Sequence, residues 1–193
     1  MHLTAPDEAI VTALAAIEGT QKLCGTTKVV AIDGPSGSGK TDFAAALAKR
    51  LPGAKILHMD DLYPGWDGLA QAVADLRDQV LAPLAGGEQA KYRRWDWQRS
   101  RYAEWHHLPA TRLLLVEGVG SGAQPGWRLV STLIWLEAGR AERFRRGIER
   151  DCAAYLPHWE RWAACEEALF EADATRSRAD LIIDTASRPP PEP

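Results

Sequence analysis

At 193 residues, 46% of them hydrophobic, with a formal net charge of −3, the chain is long enough for one well-buried α/β domain and short for two. The acidic balance argues against a general nucleic-acid binder, whose affinity rests on clustered positive charge. No apolar run reaches membrane-spanning length and the N-terminus lacks a basic stretch followed by an apolar one. Three widely spaced cysteines, Cys24, Cys152 and Cys165, fit neither a disulfide framework nor a zinc cluster, so a soluble protein in a reducing cytoplasm is expected.

Residues 7–18 place Ile10, Leu14 and Ile17 at helical spacing behind Pro6 and Asp7, which predicts an amphipathic helix in an N-terminal extension over residues 1–25. Residues 29–32, Val-Val-Ala-Ile, read as a buried parallel strand. They run directly into Gly34-Pro-Ser-Gly-Ser-Gly39-Lys40-Thr41, a full match to the P-loop pattern G-x-x-x-x-G-K-[ST]. A loop that wraps a triphosphate must turn successive backbone N–H groups inward, which needs glycine where a Cβ would clash or φ turns positive. Gly34, Ser36, Gly37, Ser38, Gly39, Lys40, Thr41 and Asp42 are therefore the expected nucleotide-binding residues. The following helix adds the positive end of its dipole, Lys40 reaches toward the β- and γ-phosphates, and the Thr41 hydroxyl is a ligand for Mg²⁺. The competing reading is a Gly/Ser turn that contains Lys-Thr by chance.

After the helix 41–51 and its stop at Leu51-Pro52-Gly53, Lys55–His58 forms the second expected strand and ends at Met59, Asp60 and Asp61. A third helix spans 67–82 and stops at Pro83, Gly86 and Gly87. The polar, aromatic stretch 88–110 suits a hairpin, Leu113–Glu117 a third strand followed by a glycine-rich turn, and 131–136 a fourth. A long helical pattern begins at Ala141, and Leu181–Asp184 closes the series as a fifth strand. Strands alternating with helices predict an α/β fold: a P-loop NTPase with a five-stranded parallel sheet flanked by helices on both faces. One domain covers 1–187, and the proline-rich tail 188–193 is expected to be disordered.

Ligands in such sheets gather at the carboxyl ends of the strands. Asp60 and Asp61 then either serve the γ-phosphate, Asp60 accepting a proton from an attacking alcohol, or cap the next segment. Glu117 ends an apolar strand like a Walker B carboxylate acting on Mg²⁺, or is an ordinary strand-end Glu. Asp33 supports a metal-bound water or fixes the turn of the loop. Arg143, Arg146 and Arg150 follow i, i+3, i+7 spacing on one helical stripe, with Arg140 at its edge and Arg145 opposite. The stripe is either a lid that clamps the transferring phosphoryl group or a solvated face. In 92–105, Tyr92, Trp95, Trp97 and Tyr102 alternate with Arg93, Arg94, Arg99 and Arg101; they suit a planar, anionic acceptor, an RNA-contacting hairpin or plain packing. His58, His106 and His107 lack ligand-like spacing, and Trp159 and Trp162 are expected to pack the lid or core.

These segments together resemble the uridine kinase and phosphoribulokinase group of P-loop kinases, most closely small actinobacterial uridine-kinase-like proteins, over about residues 28–186. Asp60-Asp61-Leu62-Tyr63 stands at the family's Asp-Ser-Phe-Tyr motif, which implies Asp60 as catalytic base and Tyr63 in the acceptor site. Asp67 matches a ribose-binding Asp, and Trp95-Asp96-Trp97 the Tyr-Asp-Phe motif that packs a nucleoside base. Val116-Glu117-Gly118 matches Val-Glu-Gly, and 143–151 the lid. The family's long insert after Tyr63 is missing, and its pyrimidine-reading His has no counterpart among Gln98, Arg99 and Ser100.

The resemblance implies an ATP- and Mg²⁺-dependent kinase, monomeric or dimeric, with a nucleoside-like acceptor. Its catalytic groups would be Lys40, Asp60, Arg143 and Arg146, its metal ligands Thr41 and Glu117, and its acceptor residues Tyr63, Asp67, Trp95, Trp97 and Arg101. Two further readings remain open: an ATPase or nucleotide switch with a protein or RNA partner, and a nucleoside monophosphate kinase.

Overall fold

The computed structural model describes residues 2–3, 6–151 and 156–186, and side chains within 7–149 and 156–186. The Arg150 side chain, Cys152 and the tail 188–193 lie outside the described residues. The strands are β1 (His2–Leu3), β2 (Lys28–Asp33), β3 (Lys55–His58), β4 (Ala90–Asp96), β5 (Arg101–Leu108), β6 (Leu113–Glu117), β7 (Thr132–Glu137) and β8 (Leu181–Asp184). The helices are α1 (Pro6–Gly19), α2 (Lys40–Arg50), α3 (Leu69–Asp75), α4 (Ala82–Ala85), α5 (Arg140–Asp151) and α6 (Trp159–Asp173).

Six parallel strands form one sheet in the order β1-β8-β7-β2-β6-β3. The five expected strands all lie in it, and the sixth, the two-residue β1, was too short to leave a pattern. Side chains alternate across a strand, so β2 and β6 feed two cores. Val29, Leu114 and Val116 point to one face and pack with Leu57, Met59, Tyr63, Leu76, Leu81 and Trp162. Val30, Ile32 and Leu115 point to the other, with Ile10, Ala13 and Ile17 of α1 and Ala44 and Leu47 of α2. The expected amphipathic first helix thus docks on the sheet through its Ile10/Ile17 stripe. Each such buried aliphatic side chain contributes roughly 1.5–3 kcal/mol, which is what holds these short strands in place.

Two elements depart from expectation and a third meets it. The helix expected over 67–82 starts at Leu69, turns π-helical over Leu76–Leu81 and continues as α4 to Ala85. Pro83 does not stop it: the π turn shifts the hydrogen-bond ladder so that Pro83 falls in a fresh first turn, where a missing N–H costs little. The helical pattern from Ala141 divides into α5 and α6, with a 3-10 turn at Leu156–His158 entering α6. Stretch 88–110 is a hairpin, as read: β4 and β5 pair antiparallel with an irregularity between Arg93 and Trp95, in a two-stranded sheet of their own.

Candidate active site

The loop between β2 and α2 bends through two left-handed glycines, Gly37 at φ 78° and Gly39 at φ 87°, conformations that side chains with a Cβ rarely adopt. A Cβ on Gly37 would also lie 2.4 Å from the Arg143 carbonyl oxygen, so α5 rests directly on the loop. Lys40 is buried, and its Nζ donates to the carbonyls of Gly34 at 2.7 Å and Pro35 at 2.9 Å. Burial lowers the Lys40 ammonium below its ordinary value, opposed by the charges of Glu166, Glu117, Asp33 and Asp60. The charges of four carboxylates therefore act on this one buried ammonium.

Register brings Glu117 to this point, because it pairs with Ile32 of β2 on one side and His58 of β3 on the other. Its carboxylate accepts the Thr41 hydroxyl at 3.2 Å and His58 Nδ1 at 2.6 Å. A carboxylate only accepts, so the proton lies on Nδ1. Asp60 sits in the 3-10 turn Met59–Asp61 directly after β3. Its side chain is exposed, and its carbonyl accepts the Trp97 indole N–H at 2.9 Å. That bond ties the hairpin to the turn carrying Asp60.

Asp33 is fully buried, with Oδ1 accepting the N–H groups of Gly34 at 2.7 Å and Gly120 at 2.9 Å, and Oδ2 that of Gly122 at 2.9 Å. Of its two expected roles the turn-fixing one is what these bonds perform, and they join the phosphate loop to the turn after β6. Burial pushes its carboxyl up to about 6 in spite of those bonds.

From α5, Arg143 donates to the carbonyls of Ala138 at 3.1 Å and Ser36 at 3.3 Å. Arg146 donates to the Thr185 carbonyl at 2.7 Å and, more weakly, to the Gly37 carbonyl at 3.4 Å. Arg145 pairs outward with Glu142 and Glu149. Arg143 and Arg146 therefore lie over the loop, while Arg145 on the opposite side faces solvent.

No protein-family model matches the chain, and no curated protein matches it by sequence. Solved structures do. A possible uridine kinase from Bacillus stearothermophilus superposes with a TM-score of 0.68 at 22% identity, over 92% of this chain and 98% of that one. A putative fructose transport system kinase from Silicibacter sp. TM1040 gives 0.57 at 20%, over 93% and 99%. D-glycerate 3-kinase from Cryptococcus neoformans var. grubii gives 0.53 at 10%, over 93% and 95%. The chain shares the fold of these kinases.

Within this fold, the structure places the residues carried over by motif resemblance in different settings. Lys40, Thr41, Glu117, Asp60, Arg143 and Arg146 converge on the carboxyl ends of β2, β6 and β3. The Tyr63 ring is buried and its O–H donates to the Val119 carbonyl at 2.8 Å. Burial raises its phenol well above the ordinary range. Asp67 is exposed and ion-paired with Arg161 of α6. The Trp95 ring stands edge-on to Tyr102 at 5.1 Å, and Arg101 lines an open depression made by the hairpin's own Arg93, Arg94, Arg99 and Glu104. Trp97 alone of the hairpin's expected acceptor residues is bonded to the Asp60 turn. Among the described residues no group of three or more His, Cys, Asp or Glu is arranged to hold a metal, and no helix is long and apolar enough to cross a membrane.

Two participants escaped the sequence reading. His58, which lacks ligand-like spacing for zinc, is the hydrogen-bond partner of Glu117. Glu166, 2% exposed on α6, accepts the Ser36 N–H at 3.0 Å and also the Ser36 hydroxyl. Its signal was a carboxylate set among Trp159, Trp162, Leu169 and Phe170 on an otherwise apolar stripe. Burial raises the Glu166 carboxyl above its ordinary value, against the pull of Lys40, the Ser36 bonds and Arg143.

The His58–Glu117 bond makes a pH-dependent prediction. The bond to Glu117 raises the His58 imidazolium above its ordinary value of 6.5. A raised folded-state value means the stabilisation is fully present below pH 6.5 and is lost as pH climbs through the raised value. His58→Gln is expected to melt below wild type at pH 5.5, with the gap narrowing at pH 8.5 in metal-free buffer. Equal gaps at both pH values would remove the charged pair as the cause.

Proposed function

We propose that the chain is a small-molecule kinase that moves the γ-phosphoryl group of ATP, with Mg²⁺, to an acceptor hydroxyl, and that the acceptor is nucleoside-like. The observation that carries this reading is the Thr41 hydroxyl hydrogen-bonded to Glu117 beside a buried Lys40, with Asp60 on the adjacent strand end and close enough for its charge to act on that lysine. A hydroxyl and a carboxylate are hard oxygen donors that suit Mg²⁺, and the left-handed glycines open the loop amides to a phosphate chain. When bound, the metal would neutralise charge on the phosphate oxygens, with Thr41 and Glu117 holding it.

The remaining roles belong to this chain's own residues. Lys40 exchanges its grip on two loop carbonyls for phosphate oxygens. Asp60 orients the acceptor hydroxyl and takes its proton, and Arg143 and Arg146 bring positive charge against the loop where negative charge builds during transfer. Trp66, Trp97 and Trp162, in edge-on contact at 5.0 and 5.9 Å, form a wall beside Asp60 that limits water entry and so favours transfer to an alcohol over hydrolysis.

A second reading, a nucleotide switch with an RNA or protein partner, is favoured by one feature. The outer hairpin face sets Lys91 over the exposed Trp105 ring at 4.5 Å and Arg93 over Tyr102 at 5.5 Å. ADP release measured against nucleosides, nucleoside monophosphates, sugar phosphates and pantothenate-like alcohols separates the readings. Release that responds to nucleosides is expected. Release that responds only to monophosphates would move the acceptor to a nucleotide, and release that responds only to RNA or protein would replace the kinase reading with the switch.

A further inference from the structure

An anion already sits on the phosphate loop, and it belongs to the protein. Glu166 takes the Ser36 N–H and the Ser36 hydroxyl, and that same hydroxyl accepts the Trp162 indole N–H at 2.9 Å. The charges acting on it are the cations Lys40 of α2 and Arg143 of α5, and its own charge acts in turn on the buried Tyr63 phenol. Amides and cations of this kind are what a polyphosphate needs, and like charges compete for them. Ser38 in the same loop keeps a buried hydroxyl with no partner among the described residues, so the loop is only partly satisfied from within.

Trp162 extends the contact away from the loop. Its ring meets Tyr63 edge-on at 5.0 Å and Trp66 at 5.9 Å; Trp66 meets Trp97 at 5.0 Å, and Trp97 holds the Asp60 carbonyl. One unbroken series of contacts therefore joins the Ser36 end of the loop to the turn bearing Asp60.

We propose that Glu166 is an internal competitor of the phosphate chain: it holds the Ser36 end of the loop, an arriving polyphosphate displaces it, and its release frees α6 to re-seat Trp162 and the aromatic wall around the acceptor. This rests on the reading of the loop as a polyphosphate site. A brace that merely satisfied the Ser36 N–H would need only a neutral acceptor, whereas a carboxylate draws on the same two cations as the ligand.

The test uses inorganic tripolyphosphate, which probes the loop without a base or a reaction. Calorimetric titration at fixed pH without Mg²⁺ is expected to show about tenfold tighter binding to Glu166→Gln than to wild type, a typical size for coupled sites. In the wild-type protein, backbone amides of α6 around 162–166 are expected to exchange hydrogen faster with tripolyphosphate bound, the reverse of ordinary ligand protection. Equal or weaker binding by a folded Glu166→Gln overturns the competitor role and leaves the kinase reading standing. If that variant does not fold, unchanged or slowed exchange in α6 overturns the role by itself. Failure of wild type and variant alike to bind tripolyphosphate overturns both the competitor and the nucleotide reading.

Discussion

Asp60→Asn is expected to lower phosphoryl transfer by about two to four powers of ten while leaving nucleotide affinity within about a few fold of wild type. At about 1.4 kcal/mol per power of ten that is roughly 3–6 kcal/mol taken from the transition state alone. The geometry explains why rate and binding should separate. The Asp60 side chain stands exposed on the turn after β3, whereas the loop's own donors and Lys40 are built from β2 and α2. The amide keeps the side chain's size and leaves the Asp60 carbonyl free to hold Trp97, so the hairpin contact survives. It removes the negative charge and the basicity that an attacking alcohol needs. Single-turnover transfer with the acceptor identified by the ADP-release screen, alongside nucleotide titration, checks both halves. Near-normal transfer would take Asp60 out of the chemistry.

The second large effect falls on the fold. Asp33→Ala is expected to cost about 3–5 kcal/mol of stability, because three buried backbone N–H groups, those of Gly34, Gly120 and Gly122, lose their acceptor at once. That is a large share of the roughly 5–15 kcal/mol by which domains are stable. The loss should concentrate where two loops meet, since Asp33 binds the start of the phosphate loop to the turn after β6. Chemical denaturation is expected to show a much lower midpoint, and nucleotide binding to weaken with it. A change below about 1 kcal/mol would mean that these amides find other partners. Asp33→Asn should fall between the two, keeping one carbonyl oxygen but setting an NH₂ group against an N–H donor.

How far the sequence could be read depended on how local the signal was. The P-loop, the five apolar strands and the hairpin are each written in contiguous residues, through glycine spacing, β-branched runs and aromatic–arginine alternation. Glu117 was legible because strand register alone carries it to the loop. For Tyr63 and Asp67 a motif match transfers a position along the chain but not the partner across space. The Tyr63 hydroxyl goes to Val119 and Asp67 to Arg161, contacts that depend on how α6 and the turn after β6 pack here. Glu166 shows in the sequence as a carboxylate on an apolar stripe, but its partner does not, because Ser36 lies 130 residues away. Pro83 misled because a stop signal for an α-helix is neutralised when a π turn restarts the ladder.

The strand that begins the phosphate loop has a consequence for how the chain comes into being. Both neighbours of β2 in the sheet, β6 and β7, are encoded in the second half of the sequence. The apolar segment 29–32 therefore leaves the ribosome long before either flanking strand exists, and at about 5–20 residues per second the wait is on the order of ten seconds. During that interval an unpaired, hydrophobic edge is open to chaperones and to neighbouring nascent chains. Synthesis speed through the middle of the message then becomes a determinant of yield, independent of how stable the finished molecule is.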